Sequence, residues 1–204
     1  ALVTLDVWDE RLAEAGTALA RARIAAMESL VDVVAVAYDH LAGRHSHVSL
    51  RYDAPWLHVP GGLEPALGAA RDDDIRRGVS TVGPHRDEML IEIDGLPART
   101  HASQGEQRCA ALALRLAAHQ LVAERRGVTP VLLLDDVFSE LDPDRAAALF
   151  GALPPGQVLL TTAGIVPEAA SDADTVIITR EGAVESSRAL RAPPNQRGGS
   201  GAAG

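Results

Sequence analysis

The chain has 204 residues, of which 47% are apolar and 23% charged, with a mean hydropathy near zero. This composition excludes a wholly disordered chain and suits one domain or one and a half. No apolar run approaches the roughly 20 residues that span a bilayer, and only 3% of the chain is aromatic, so Leu, Val, Ile and Ala must build the core. The net charge is −9, and all 19 basic residues are Arg. Without Lys there is no phosphate loop of the G-x-x-x-x-G-K-[ST] type. The acidic balance also argues against a nucleic-acid footprint over the whole surface. A lone cysteine, Cys109, has no partner for an internal disulfide and fits a reducing cytosol. There is no signal peptide and no initiator Met, and the chain opens in mid-pattern, as a piece of something longer would.

In chain order, Leu5, Trp8, Leu12, Ala15, Leu19 and Ala22 recur at helical spacing, and Met27, Leu30, Val34, Tyr38 and Leu41 continue them. They predict one long helix from Asp6 to Leu41, or two if Gly16 interrupts it. His45 to Trp56 alternates loosely and predicts a strand. After Pro60-Gly61-Gly62, Leu63 to Arg77 predicts a charged helix ending at Gly78. Met89 to Ile93 alternates and turns at Asp94-Gly95, a hairpin signal. Gly105 to Arg126 predicts an amphipathic helix with Cys109, Leu112, Ala113, Leu116 and Ala117 on one face and Gly127 as its stop.

Val131 to Leu134 reads as a buried parallel strand that ends in Asp135 and Asp136. Asp142-Pro143 supplies an N-cap and N1 proline for a helix through Leu153. Val158 to Thr162 and Thr175 to Thr179 read as two further strands, so this half is α/β. The Gly- and Ala-rich tail from Pro193 to Gly204 has nothing to bury and is expected to be disordered.

Three segments carry chemistry. In Ser103-Gln104-Gly105-Glu106-Gln107-Arg108, Ser103 and Glu106 make an S-x-x-E capping box. The same hydroxyl, the free N–H groups and Gly105 also suit a phosphate at a helix N-terminus, and the two readings are compatible. The acids Asp135 and Asp136 either cap the next element or stand where α/β folds bind ligands, one holding Mg2+ and the other orienting water. Ser139-Glu140-Leu141-Asp142 follows at once. Of the rest, His40, His45 and His47 lack the acids or cysteines of a metal site. His85-Arg86-Asp87 is either an ion-paired turn or a DNA contact, and Cys109 reads as a buried thiol.

In this order, the three segments resemble the signature motif, Walker B strand and D-loop of an ABC-type ATPase head. The match is closer still to the RecF family of bacterial recombination-repair proteins. It rests on Val82-Gly83-Pro84-His85-Arg86-Asp87, on Ser103 to Arg108, and on Leu133-Leu134-Asp135-Asp136-Val137-Phe138-Ser139-Glu140-Leu141-Asp142. The resemblance runs from the Leu5-Asp6-Val7-Trp8 helix to about Thr179.

It implies the C-terminal part of an ABC ATPase head, a P-loop NTPase fold with a mostly parallel sheet. Residues 1–79 would form a helical second lobe, 80–190 the C-terminal part of the ATPase lobe, and 191–204 a tail. ATP would be sandwiched between two subunits in a homodimer formed on ATP binding. Ser103, Gln104, Gly105, Glu106 and Gln107 would meet the γ-phosphate in trans, with Asp142 in the D-loop. Asp135 resembles the Mg2+ carboxylate, and Asp136 the catalytic base, where most such ATPases carry Glu. Thr161-Thr162-Ala163 stands where transporters have a switch His. By the same resemblance the function is ATP-dependent DNA repair, recombination and replication restart in the cytoplasm, with a link to the SOS response. Partners would be duplex, gapped and single-stranded DNA and the mediator RecR with RecO, and the full dimer would be a weak ATPase. The alternatives are an ABC transporter ATPase subunit and a non-catalytic interaction fragment.

Overall fold

The computed structural model describes residues 2–138, 141–163, 168–170, 173–178 and 184–187. The expected tail and the Ser139-Glu140 pair lie outside the described residues. Helix α1 (Leu2–Ala42) is one unbroken helix of 41 residues, about 60 Å at about 1.5 Å per residue. Its inward face in the first half differs from the expected one. Trp8, Leu12 and Leu19 are 62%, 38% and 44% exposed, whereas Gly16 and Ala20 are buried. Close approach decides this: a Cβ on Gly16 would lie 2.6 Å from Leu63 Cδ2 and 2.8 Å from Pro84 Cγ. The small residues Ala13, Gly16 and Ala20 let neighbouring segments reach the α1 backbone, and packing density outweighs the larger apolar side chains opposite.

Strand β1 (Val48–Asp53) is shorter than expected, because Pro55–His58 forms a 3-10 turn that buries Trp56. Helix α2 (Leu63–Arg77) ends at Gly78 in the left-handed conformation. Strands β2 (Glu88–Ile93) and β3 (Leu96–Pro97) form the expected hairpin. Asp94 and Gly95 both have positive φ (53° and 79°), as a two-residue turn of this hand requires. β1 pairs antiparallel with β2, from Val48 opposite Ile93 to Asp53 opposite Glu88.

A short α3 (Ala98–His101) leads into α4 (Gln104–Arg126). Strand β4 (Leu132–Leu134) then precedes α5 (Pro143–Gly151), which stops short of Leu153, and β5 (Val158–Leu160) lies parallel to β4. β6 (Thr175–Ile178) and β7 (Val184–Ser187), the latter unforeseen, pair antiparallel. Parallel pairing among the described residues is thus confined to β4–β5.

One core joins Val34, Tyr38 and Leu41 of α1 to Cys109, Ala113 and Ala117 of α4, with Leu132, Leu134 and Leu149 beneath. A second gathers Ala20, Trp56, Leu63 and Leu67. Among the described residues, no helix is long and apolar enough to cross a membrane.

Candidate functional site

The start of α4 is a closed capping box. Ser103 Oγ accepts from Glu106 N (3.3 Å), while Glu106 Oε2 accepts from Ser103 N and Ser103 Oγ (both 2.8 Å). Arg44, two residues past the end of α1, donates to Glu106 Oε1 at 2.6 Å and to Asp94 at 3.4 Å. Two donors from Ser103, then Arg44, hold the Glu106 carboxyl below the usual glutamate range. Gln107 donates to the carbonyls of Ala102 and Arg99, at 3.0 and 3.4 Å. Gln104 is exposed at the first turn.

Gly105 serves a close approach, though not only the one its sequence suggests. A Cβ there would lie 2.6 Å from Arg145 Nη1, so the guanidinium of Arg145 lies over the bare Cα. The same Nη1 donates to Asp142 Oδ2 at 2.9 Å, and Arg145 N donates to Asp142 Oδ1 at 2.8 Å, which caps α5. Arg145 therefore ties the signature-like helix start to the D-loop-like cap. Phe138 stacks on Phe150 with centroids 5.3 Å apart, fastening the same segment to α5.

A second group lies at the carboxyl ends of β4 and β5. Thr161 N donates to Leu134 O (3.0 Å), which prolongs the parallel pairing by one step. Thr161 Oγ1 donates to Asp135 Oδ1 and accepts from Asp136 N at 3.0 Å. The amide of Asp136 also reaches Thr161 O at 3.0 Å, and Asp136 Oδ1 accepts from Ala163 N at 3.4 Å. Asp136 is one of the non-glycine residues with positive φ, 47°. Such a conformation costs roughly 1 kcal/mol or more and persists where its surroundings impose it, often at functional sites.

Both acids are exposed, and their oxygens suit a hard cation. Mg2+ keeps most of its waters and takes one or two carboxylates along with substrate phosphates, so Asp135 with the Thr161 hydroxyl fits it. Among the described residues no group of three or more His, Cys, Asp or Glu side chains is placed to hold a metal ion by itself. His45 instead contacts Asp39 at 2.5 Å.

Cys109 is 1% exposed, and its thiol donates to Leu41 O at 3.7 Å. Burial pushes its pKa up, which suits a packed thiol and not a nucleophile. Among the described residues, the segment His85-Arg86-Asp87 makes no ion pair. Asp87 accepts from Tyr52 Oη (2.5 Å) and Trp56 Nε1 (2.9 Å), and the other two side chains turn to the Ser80 carbonyl.

Sequence reading missed Arg44 and Arg145 as the residues that fasten the signature-like helix. A single Arg in a helix or loop carries no spacing signal, so only the fold reveals them.

The parallel β4–β5 pair, with two acids at the end of β4, and the capped helices α4 and α5 make the fold that of part of an ABC-type ATPase head. The chain is 45% identical over 177 residues to the DNA replication and repair protein RecF of Frankia alni, a match covering 80% of this chain and 46% of that protein. It is 43% identical over 171 residues to RecF of Streptomyces avermitilis (80% and 46%) and 37% over 162 residues to RecF of Agathobacter rectalis (79% and 44%). Among solved structures it resembles the recombination mediator protein RecF-ATPrS in the RecFOR pathway, with a TM-score of 0.73 at 27% identity over 91% of this chain and 51% of that one. The corresponding RecF-ATP structure gives 0.70 at 28% identity, over 90% and 50%. No protein-family model matches the chain. The chain belongs to the RecF family and corresponds to the C-terminal part of its members. It spans about half the length of the curated relatives it matches.

Proposed function

We propose that this chain is the signature, Walker B and D-loop portion of an ATP-dependent DNA-binding protein of recombinational repair and replication restart. The observation that carries the reading is Thr161 bridging Asp135 and Asp136 at the ends of two parallel strands. Asp135 would hold Mg2+, which supplies charge neutralisation at the phosphates. Asp136, fixed in its unusual backbone conformation, would orient the attacking water and accept its proton. Its side chain is about one methylene shorter than Glu, which fits slow hydrolysis.

Ser103 to Gln107 would face the γ-phosphate held by a second subunit, so that ATP binding closes a homodimer. The Ser103 hydroxyl, now shared with Glu106, would have to turn its hydrogen towards that phosphate. Asp142, pinned by Arg145, would position the D-loop beside the same site. DNA as ligand, RecR with RecO as partners, the cytoplasm as location and a link to the SOS response follow the family reading, and the naming of RecF structures after the RecFOR pathway supports it. A transporter ATPase has no observation in its favour, since the switch position carries Thr161.

The test is Asp136→Asn in the full-length protein. Asn tolerates a positive φ as Asp does, so the fold should be kept while the proton acceptor is lost. Hydrolysis should fall at least tenfold with ATP binding and melting temperature retained; hydrolysis at the parental rate would contradict the assignment.

A further inference from the structure

The loop from Ser80 to Asp87 is fastened from both sides. Asp74, on α2, accepts from Thr81 N (3.1 Å) and Thr81 Oγ1 (2.6 Å), and these bonds hold its carboxyl below the usual range. At the other end Asp87 is held by Tyr52 and Trp56, and Arg23 Nη1 donates to both Tyr52 Oη (3.1 Å) and Pro84 O (2.7 Å). Between these anchors, Gly83 turns the chain at φ 131°.

Within the loop, three donors converge on one oxygen. Arg86 Nε and Nη2 reach Ser80 O at 2.9 and 2.8 Å, and His85 Nε2 reaches it at 3.1 Å. Arg86 is thereby held along one edge of its guanidinium. Its Nη1 group bonds to no described residue, and no described carboxylate pairs with it. Asp74 and Asp87, the acids nearest in the loop's framework, give their oxygens to Thr81, Tyr52 and Trp56. An exposed Arg loses rotamer freedom when it binds, and an edge already fixed removes part of that cost.

We propose that this loop is a binding site for one phosphate oxyanion, taken by the free end of the Arg86 guanidinium with His85 beside it. The site deepens the proposed function and rests on it for the source of the phosphate, either the backbone of duplex DNA or a free nucleotide. The Ser80 carbonyl holds the Arg86 guanidinium by one edge, which leaves its Nη1 end presented as a fork that can donate two bonds to phosphate oxygens.

The experiment uses the 204-residue chain and its Arg86→Gln and Arg86→Lys variants. Inorganic phosphate is titrated while the Arg86 Nε–H and His85 ring resonances are followed. Duplex DNA binding is then measured by anisotropy at stepped salt concentrations, with ATP as competitor. A saturable shift is expected in the parent, weakened about tenfold or more in Arg86→Gln and less in Arg86→Lys, which keeps the charge but loses the fork. A DNA source predicts that Arg86→Gln lowers the log–log salt slope by about 0.9, the value of one phosphate contact. A nucleotide source predicts an unchanged slope with ATP competing for the phosphate shift. If phosphate binds at Arg86 but DNA does not bind this chain, DNA is not the source at this site and the site stands, while DNA binding by the full-length protein tests the proposed function separately. No saturable shift, or Arg86→Gln titrating like the parent, overturns the site itself.

Discussion

The guanidinium of Arg145 rests on the bare Cα of Gly105, so close that a Cβ would meet Nη1 at 2.6 Å. This pair joins the first turn of α4 to the cap of α5. Gly105→Ala should push Arg145 away and loosen its bond to Asp142, whereas the same substitution in an Arg145→Ala background should escape that clash. A double-mutant cycle by urea denaturation should therefore show coupling of about 0.5 kcal/mol or more between the two sites. Strict additivity would mean that the two residues do not touch.

Ser103→Ala should cost about 0.5–2 kcal/mol by opening the capping box, and Asp142→Ala a similar amount at α5. Thermal melts read both, and a helix start indifferent to Ser103→Ala would contradict the reciprocal bonding at Glu106.

The acid sensitivity of the same box has a definite sign. Glu106 is held below its ordinary value of 4.5 by Ser103 and Arg44. A carboxyl with a depressed folded-state pKa adds stability that is fully present above the unfolded value and is lost as pH falls through the folded one. Parent stability should thus drop below about pH 4.5 more steeply than that of Glu106→Gln, measured as denaturation midpoints between about pH 7 and 3. Parallel profiles would show that Glu106 has the same affinity for protons folded and unfolded.

How much of this was legible in the sequence depended on whether a residue's role was local. Gly78, Gly127 and the Asp94-Gly95 turn announce themselves, because positive φ is a property of the residue and its immediate neighbours. The acids at the end of β4 were placed correctly by a short apolar run and its terminus. The inward face of α1 was not, because hydrophobic periodicity weights Trp8 and Leu12 above Ala13 and Gly16. What selects the face is how closely Leu63 and Pro84 approach, a contact between segments far apart in the chain. In the sequence Thr161 marks only the place where a His is missing, yet it braces both acids, and that depends on β5 lying parallel to β4.

Gly16→Ala tests the corrected face. Helix propensity alone predicts a gain of about 1 kcal/mol, but overpacking against buried Leu63 and Pro84 costs typically about 1–3 kcal/mol. The net effect should be destabilising, and a raised melting temperature would show that α1 packs by another face.

Tyr38 is fully buried and its hydroxyl has no hydrogen-bond partner among the described residues; burial pushes its pKa up. Tyr38→Phe removes an unsatisfied polar group without opening a large cavity. Stability should stay level or rise by about 1 kcal/mol. A loss of that size would show that the hydroxyl is bonded in solution.

The proposed role of this chain is to complete an ATP site held by another subunit. It is tested by mixing two full-length proteins, one carrying Ser103→Arg and the other lacking the Lys of its phosphate loop. Each alone should fail to hydrolyse ATP, the first because the bulky side chain blocks closure and the second because it binds no nucleotide. The mixture should recover hydrolysis, since the phosphate loop of the first subunit meets the intact Ser103 of the second in one competent site per heterodimer. If the mixture stays inactive while both proteins are folded and still associate, Ser103 does not act in trans.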